Sequence, residues 1–260
     1  MWNWYWNPFA KAALESGNQK LFEYVRTLVP PDYPWNWNNL AKGSLIGEEK
    51  FQPKFGGTRL FDFIRNLAPP NYQWNWSKLF EGAIESHNQQ LFDYVRSLAP
   101  PDYNFNWSRL AESALKVNDQ ELFDYIRSIA PPTINWNWEN FAEHALTYGN
   151  KLLFNYILSL APPNYPWNWN LVAYSIIITK GEQNLFDYVR SVASSDYSWD
   201  WSYLVNAAAI KGDQDLFEYI HSLTPPNYQW NWEIITNNVQ GPMLNYIFNK
   251  PIPHTCRFNN

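Results

Sequence analysis

Five acid–base pairs at i, i+3 spacing are the side chains best placed for chemistry: Glu23/Arg26, Asp62/Arg65, Asp93/Arg96, Asp124/Arg127 and Asp187/Arg190. On a helix such partners face one another, and a carboxylate beside a guanidinium is the raw material of general acid–base work. An active site copied five times along one chain makes little chemical sense, however. A structural ladder, each exposed pair worth about 0.2–1 kcal/mol, fits better. Asn155 and Leu158 replace acid and base together in the fifth repeat, as expected if the two serve each other, bridging repeats. His87, His144, His221 and His254 stand in unrelated positions. His254-Thr255-Cys256 offers two metal ligands where about four are usual. No Gly-rich phosphate loop or nucleophile elbow occurs. The sequence therefore predicts no enzyme, no cofactor and no metal.

The recurrence of those pairs reflects a repeat that fills the chain. Trp-Asn-Trp or its variant begins at Trp4, Trp35, Trp74, Phe105, Trp136, Trp167, Trp199 and Trp230, at steps of 31 except for 39 at the second and 32 at the sixth. Leu-Phe follows at Leu21, Leu60, Leu91, Leu122, Leu153, Leu185 and Leu216. Columns are numbered here from the first aromatic. Of 16 tryptophans, all but Trp2 fall in columns 1 and 3.

Each repeat reads as two helices. Trp76, Leu79, Phe80, Ala83 and Ile84 have amphipathic helical spacing, and Asn75 is the natural N-cap. Asp200 keeps that chemistry in its repeat, and only Tyr5 lacks it. The first helix stops near His87, a column where Gly17, Gly149 and Gly212 stand elsewhere. Asn18, Asn88, Asn150 or Asp213 then caps a second helix, which Pro-Pro ends. One hairpin of this length cannot bury both apolar faces, whereas stacked copies can. The expected fold is all-α, a solenoid of eight helix-turn-helix repeats in a single array over 1–260. An insertion occupies 47–59 in the second repeat, and 230–260 forms a C-terminal cap.

The segments Ala13 to Val29 and Ala145 to Ala161, Ala-Leu-x-x-Gly-Asn-x-x-Leu-Phe-x-Tyr and onward, resemble the two-helix core of the ankyrin-repeat family. The style is the divergent one met in giant DNA viruses and amoebae. Trp-Asn-Trp-x-x-Leu-Ala replaces the family's Thr-Pro-Leu-His opening, and Pro-Pro-x-Tyr stands where a β-hairpin finger is expected. The resemblance implies an ankyrin-like array that binds protein partners through a variable concave surface.

Composition narrows the partners. With 19 Lys+Arg against 24 Asp+Glu the net charge is −5, which excludes nucleic-acid binding driven by bulk electrostatics. The longest apolar run, Leu171 to Ile178, is far short of the roughly 20 residues a bilayer span needs, and no membrane insertion is expected. The N-terminus lacks an apolar leader, pointing to an intracellular location, cytoplasmic or in a virion.

What varies between repeats marks the candidate contact face. Columns 4 and 5 run from Asn7-Pro8 to Glu233-Ile234, and columns 8 and 9 from Lys11-Ala12 to Asn237-Asn238. The candidates are Lys78, Arg109, Asn140, Leu171 and Tyr203 in column 5, with Glu81, Glu112, Glu143 and Tyr174 in column 8. Phe51, Lys54 and Phe55 in the insertion join them. Neutral drift on an exposed face is the plain alternative. Pro-Pro-x-Tyr, intact five times, reads as a helix stop or as a WW-domain ligand in a polyproline II segment. Column-1 indoles read as packing or as a platform for sugars. The expected function is a non-catalytic protein-binding scaffold. Its rivals are a self-assembling structural subunit, such as a viral particle or filament component, and a glycan-binding aromatic ladder.

Overall fold

The structure, a computed structural model, describes residues 5–50 and 59–249, and its regular elements there are helices throughout. The chain forms two compact bodies divided between Trp136 and Asn137. In the N-terminal body, α1 (Trp6–Glu15) pairs with α2 (Gln19–Thr27) and α3 (Trp37–Gly47) with α4 (Leu60–Leu67). There α5 (Trp76–Glu85) pairs with α6 (Gln89–Leu98), and α7 (Trp107–Lys116) with α8 (Gln120–Ile129). In the C-terminal body the pairs are α9 (Trp138–Thr147) with α10 (Lys151–Leu160), α11 (Trp169–Thr179) with α12 (Gln183–Val192), and α13 (Trp201–Lys211) with α14 (Gln214–Ser222). The short α15 (Trp232–Thr236) and α16 (Gly241–Asn249) complete it. First helices pack in series, α1 on α3, α3 on α5 and α5 on α7, then α9 on α11, α11 on α13 and α13 on α15. The result is an all-α solenoid of helical repeats.

Capping explains where the helices start. Asn36, Asn75, Asn106, Asn137, Asn168, Asp200 and Asn231 each accept a hydrogen bond from the backbone N–H three residues on, and Tyr5 makes no such bond. Asn18, Asn88, Asp119, Asn150 and Asp213 cap the second helices in the same way. After the insertion α4 has no side-chain cap of its own. Glu48 Oε2 accepts from Phe61 N at 3.2 Å instead, and burial pushes that carboxyl above its ordinary range.

The turn between paired helices is left-handed. Gly17, Gly149 and Gly212 sit at φ 70, 72 and 75°, and His87 and Asn118 take φ 54 and 57° in the same column. The second helices end as expected: Ala99, before Pro100, is extended at ψ 148°. Ala193 is extended too, at ψ 150°, although Ser194 follows it.

The core is the Leu-Phe column plus the apolar stripe of the first helices. Phe22, Phe61, Phe92, Phe123, Phe154, Phe186 and Phe217 are all buried. In column 3, Trp107, Trp138, Trp169 and Trp201 are buried, while Trp6, Trp37, Trp76 and Trp232 are half-buried.

Candidate interaction surface

Two hydrogen-bond ladders tie successive repeats together, and their positions decide which variable columns are left to meet a partner. In the first, the tyrosine of Leu-Phe-Asp-Tyr donates to the acid of the preceding repeat. Tyr94 Oη reaches Asp62 Oδ1 at 2.6 Å, Tyr125 reaches Asp93 at 2.5 Å, and Tyr219 reaches Asp187 at 2.6 Å. Tyr188 finds Asn155 Oδ1 at 2.7 Å, so the uncharged column member does the same service. These acids also meet their own bases at i, i+3: Arg65–Asp62 at 3.3 Å, Arg127–Asp124 and Arg190–Asp187 at 3.4 Å. The Arg190 guanidinium lies 5.7 Å from the Phe186 ring centroid and 5.7 Å from that of Trp201 in the next repeat, a cation–π bridge.

The second ladder uses the tyrosine of Pro-Pro-x-Tyr. Each such loop is a turn closed by the backbone: Tyr33 N donates to Pro30 O at 3.0 Å, and Tyr103 N to Pro100 O at 2.9 Å. A closed turn is not polyproline II, which has no internal hydrogen bonds. Moreover, the tyrosine hydroxyl is engaged in column 4 of the preceding repeat, so the WW-ligand reading is corrected. Asn38 Nδ2 donates to Tyr72 Oη at 3.0 Å, and Tyr165 Oη donates to Glu139 Oε2 at 2.8 Å. Burial, then the bond and charge of Glu139, push Tyr165 up to about 12. Column 4 also accepts from the cap residue of the next repeat: Asn36 N to Asn7 Oδ1 at 2.7 Å, Asn75 N to Asn38 Oδ1 at 2.8 Å, and Asn168 N to Glu139 Oε1 at 3.0 Å.

Column 4, read from the sequence as a contact column, is therefore a staple between repeats. It varies among Asn, Ser and Glu because each of these can accept a backbone N–H. Column 9 is corrected likewise at Gly43 and Gly82. A Cβ on Gly43 would lie 3.1 Å from Lys11 O, and one on Gly82 would lie 3.0 Å from Lys42 O, so helices pass closely there. In column 8, Asn206 is buried and donates to Ile235 O and Asn237 O at 3.0 and 2.9 Å, which makes it structural as well.

One loop breaks the second ladder. Pro131-Pro132-Thr133-Ile134 keeps the turn, with Ile134 N donating to Pro131 O at 3.1 Å, but Ile134 has no hydroxyl to offer Ser108 in column 4. An open groove of about 340 Å³ lies there, lined by Asn104, Phe105, Asn106, Trp107, Ser108, Thr133, Ile134 and Asn135.

Columns 5 and 8 differ from one body to the other. In the N-terminal body they form a chain of charge. Lys42 Nζ meets Glu85 at 2.9 Å and Glu81 at 3.3 Å, and Arg109 meets Glu81 at 2.9 Å. Lys78 Nζ donates to Asn39 Oδ1 at 2.9 Å. Burial alone would lower the Lys42 ammonium, but the bonds and charges of Glu85 and Glu81 hold it above the usual lysine range.

In the C-terminal body the same columns hold a carboxylate among aromatic and aliphatic groups. Tyr174 and Tyr203 stack at 4.1 Å with 13° between ring planes, and Leu171 is exposed. Ser175 Oγ donates to Glu143 Oε2 at 3.0 Å. Glu112 on α7 and Asn140 on α9 are half-buried. Phe51, Lys54 and Phe55, with His254 and Cys256, lie outside the described residues. The structure thus joins Glu81 to Arg109 and Tyr174 to Tyr203, brings in Lys42 of column 8 and Ser175 of column 9, and adds Glu85, which column variability did not single out. The Glu85 signal was available: a long acidic side chain one turn on from Glu81 of column 8.

From Trp35 onward the column-1 rings are half-buried packing elements. A tyrosine stands edge-on to each of several: Tyr33 to Trp35 at 4.7 Å, Tyr72 to Trp74 and Tyr165 to Trp167 at 4.9 Å. Among the described residues no group of three His, Cys, Asp or Glu is placed to hold a metal ion, and no helix is long and apolar enough to cross a membrane. The chain matches no family model, and no curated protein or solved structure is significantly similar to it.

Proposed function

We propose that the protein is a non-catalytic binding scaffold, ankyrin-like in the use of its helix pairs, that engages a protein partner through columns 5 and 8 of its first helices. One observation carries this reading. Column 4, and column 9 at Gly43 and Gly82, are bound into the joints between repeats, whereas columns 5 and 8, Asn206 apart, change from ionic to aromatic without altering those joints. Charged and aromatic side chains on a rigid helical surface suit selective protein recognition. Column-1 rings already packed against tyrosine favour this reading over a sugar platform. The test is capture of partners from the source cell by the intact protein, comparing wild type with a variant carrying Lys78→Ala, Arg109→Ala, Tyr174→Ala and Tyr203→Ala. A partner lost only from the variant supports the proposal, and identical capture overturns it.

Self-assembly is the second reading, favoured by a separate observation. The first repeat presents Tyr5, Phe9, Leu21, Tyr24 and Leu28 at 44–65% exposure. Leu91 and Leu122, in the same column as Leu21, are buried. An apolar face of this kind suits contact with a second copy of the chain.

A further inference from the structure

The two bodies treat the same carboxylate column differently, and the difference defines a site. Glu81 in column 8 is met by Arg109, 28 residues on in column 5, at 2.9 Å, and by Lys42 at 3.3 Å. Glu143 holds the same column, and 28 residues on from it stands Leu171, not a base. The sequence counterpart of Lys42 is Glu112, an acid. Both cations of the N-terminal arrangement are thus replaced. Glu143 Oε2 takes the Ser175 hydroxyl at 3.0 Å, while Oε1 is buried with no hydrogen-bond partner.

A carboxylate oxygen left buried and unpaired is costly. Burial and the neighbouring Glu139 charge push the Glu143 carboxyl above its ordinary range, against the Ser175 bond. Beside it lies the stacked pair Tyr174 and Tyr203, and the Glu143 charge helps to raise the Tyr203 hydroxyl. A carboxylate next to aromatic faces is the chemistry that takes a guanidinium, by a charge-assisted hydrogen bond and by stacking together.

We propose that Glu143, Tyr174 and Tyr203 form a receptor for an arginine side chain of a protein partner, seated where Arg109 sits against Glu81 and reaching Oε1 by displacing the exposed Leu171 side chain. This deepens, and rests on, the reading of columns 5 and 8 as the partner face.

The probe is a capped Gly-Gly-Arg-Gly-Gly peptide titrated into the full chain and followed by NMR at the Tyr174, Tyr203 and Ser175 resonances, with a citrulline peptide as the neutral isostere. The expected result is saturable perturbation at roughly millimolar arginine peptide and none with citrulline. Glu143→Gln should weaken binding by about tenfold or more. Leu171→Arg should supply the cation within the chain and abolish binding while the fold is kept. Equal response to citrulline, unchanged binding by Glu143→Gln, or no saturable response would each overturn the site. Loss of the site with partner capture still dependent on columns 5 and 8 would leave the scaffold reading standing. A working arginine site with capture indifferent to those columns would sink the scaffold reading alone.

Discussion

Tyr125 shows how a single hydroxyl holds two repeats in register, since it donates to Asp93 at 2.5 Å across the joint. Replacing it with Phe leaves the packing and removes one charge-assisted bond. The expected loss is about 1–2 kcal/mol of stability, read by urea unfolding. An unchanged midpoint would mean that the ladder is ornamental. Glu143 predicts a pH dependence of definite sign. Its carboxyl is raised by burial, so just above the ordinary value of 4.5 the folded chain keeps a proton that the unfolded chain has released. Stability therefore falls as pH rises through that window. Glu143→Gln removes this contribution, and its melting temperature should gain on wild type from acid to neutral pH. Tyr165 acts likewise at the alkaline end: folded at about 12 against an ordinary 10.0, it should make stability decline as pH climbs between those values. Tyr165→Phe should flatten that decline in thermal melts.

At the scale of elements, the helix pairs were plain in the sequence because spacing and caps are local. Asn75, Asn106 and Asp200 cap where the pattern says they must, and the Pro-Pro stop agrees with Ala99 turning extended. The joints between repeats were not legible in that way. Column 4 looks variable because chemically equivalent acceptors replace one another, and column 9 looks variable because close approach of helices is a property of the stack. Two changes test these joints. Ile134→Tyr should fill the break in the second ladder, bond Ser108 and stabilise by about 1 kcal/mol in urea titration; destabilisation would contradict the ladder's geometry. Gly47→Ala would place a Cβ 1.9 Å from Leu14 O, in contact with backbone that cannot yield. It should cost about 1–3 kcal/mol or more in the same assay.

Over the whole molecule, one repeat copied eight times accounts for the aromatic content of 19%, because most of those rings are joints. The division into two bodies could not be seen in a uniform repeat. Nor could the change of columns 5 and 8 from charged to aromatic be weighed before the neighbouring columns were known to be occupied. The exposed apolar face of the first repeat predicts concentration-dependent mass in light scattering, abolished by Leu21→Glu with Leu28→Glu; a constant monomer would dismiss self-assembly through that face. Cross-linking the wild-type chain to its captured partners and mapping the linked residues shows whether columns 5 and 8 meet a protein partner. Links from Lys42 and Lys78 in the wild type, with the Lys42 links lost from the four-alanine variant, are the predicted result. Links spread evenly over the second helices, indifferent to that variant, would contradict it.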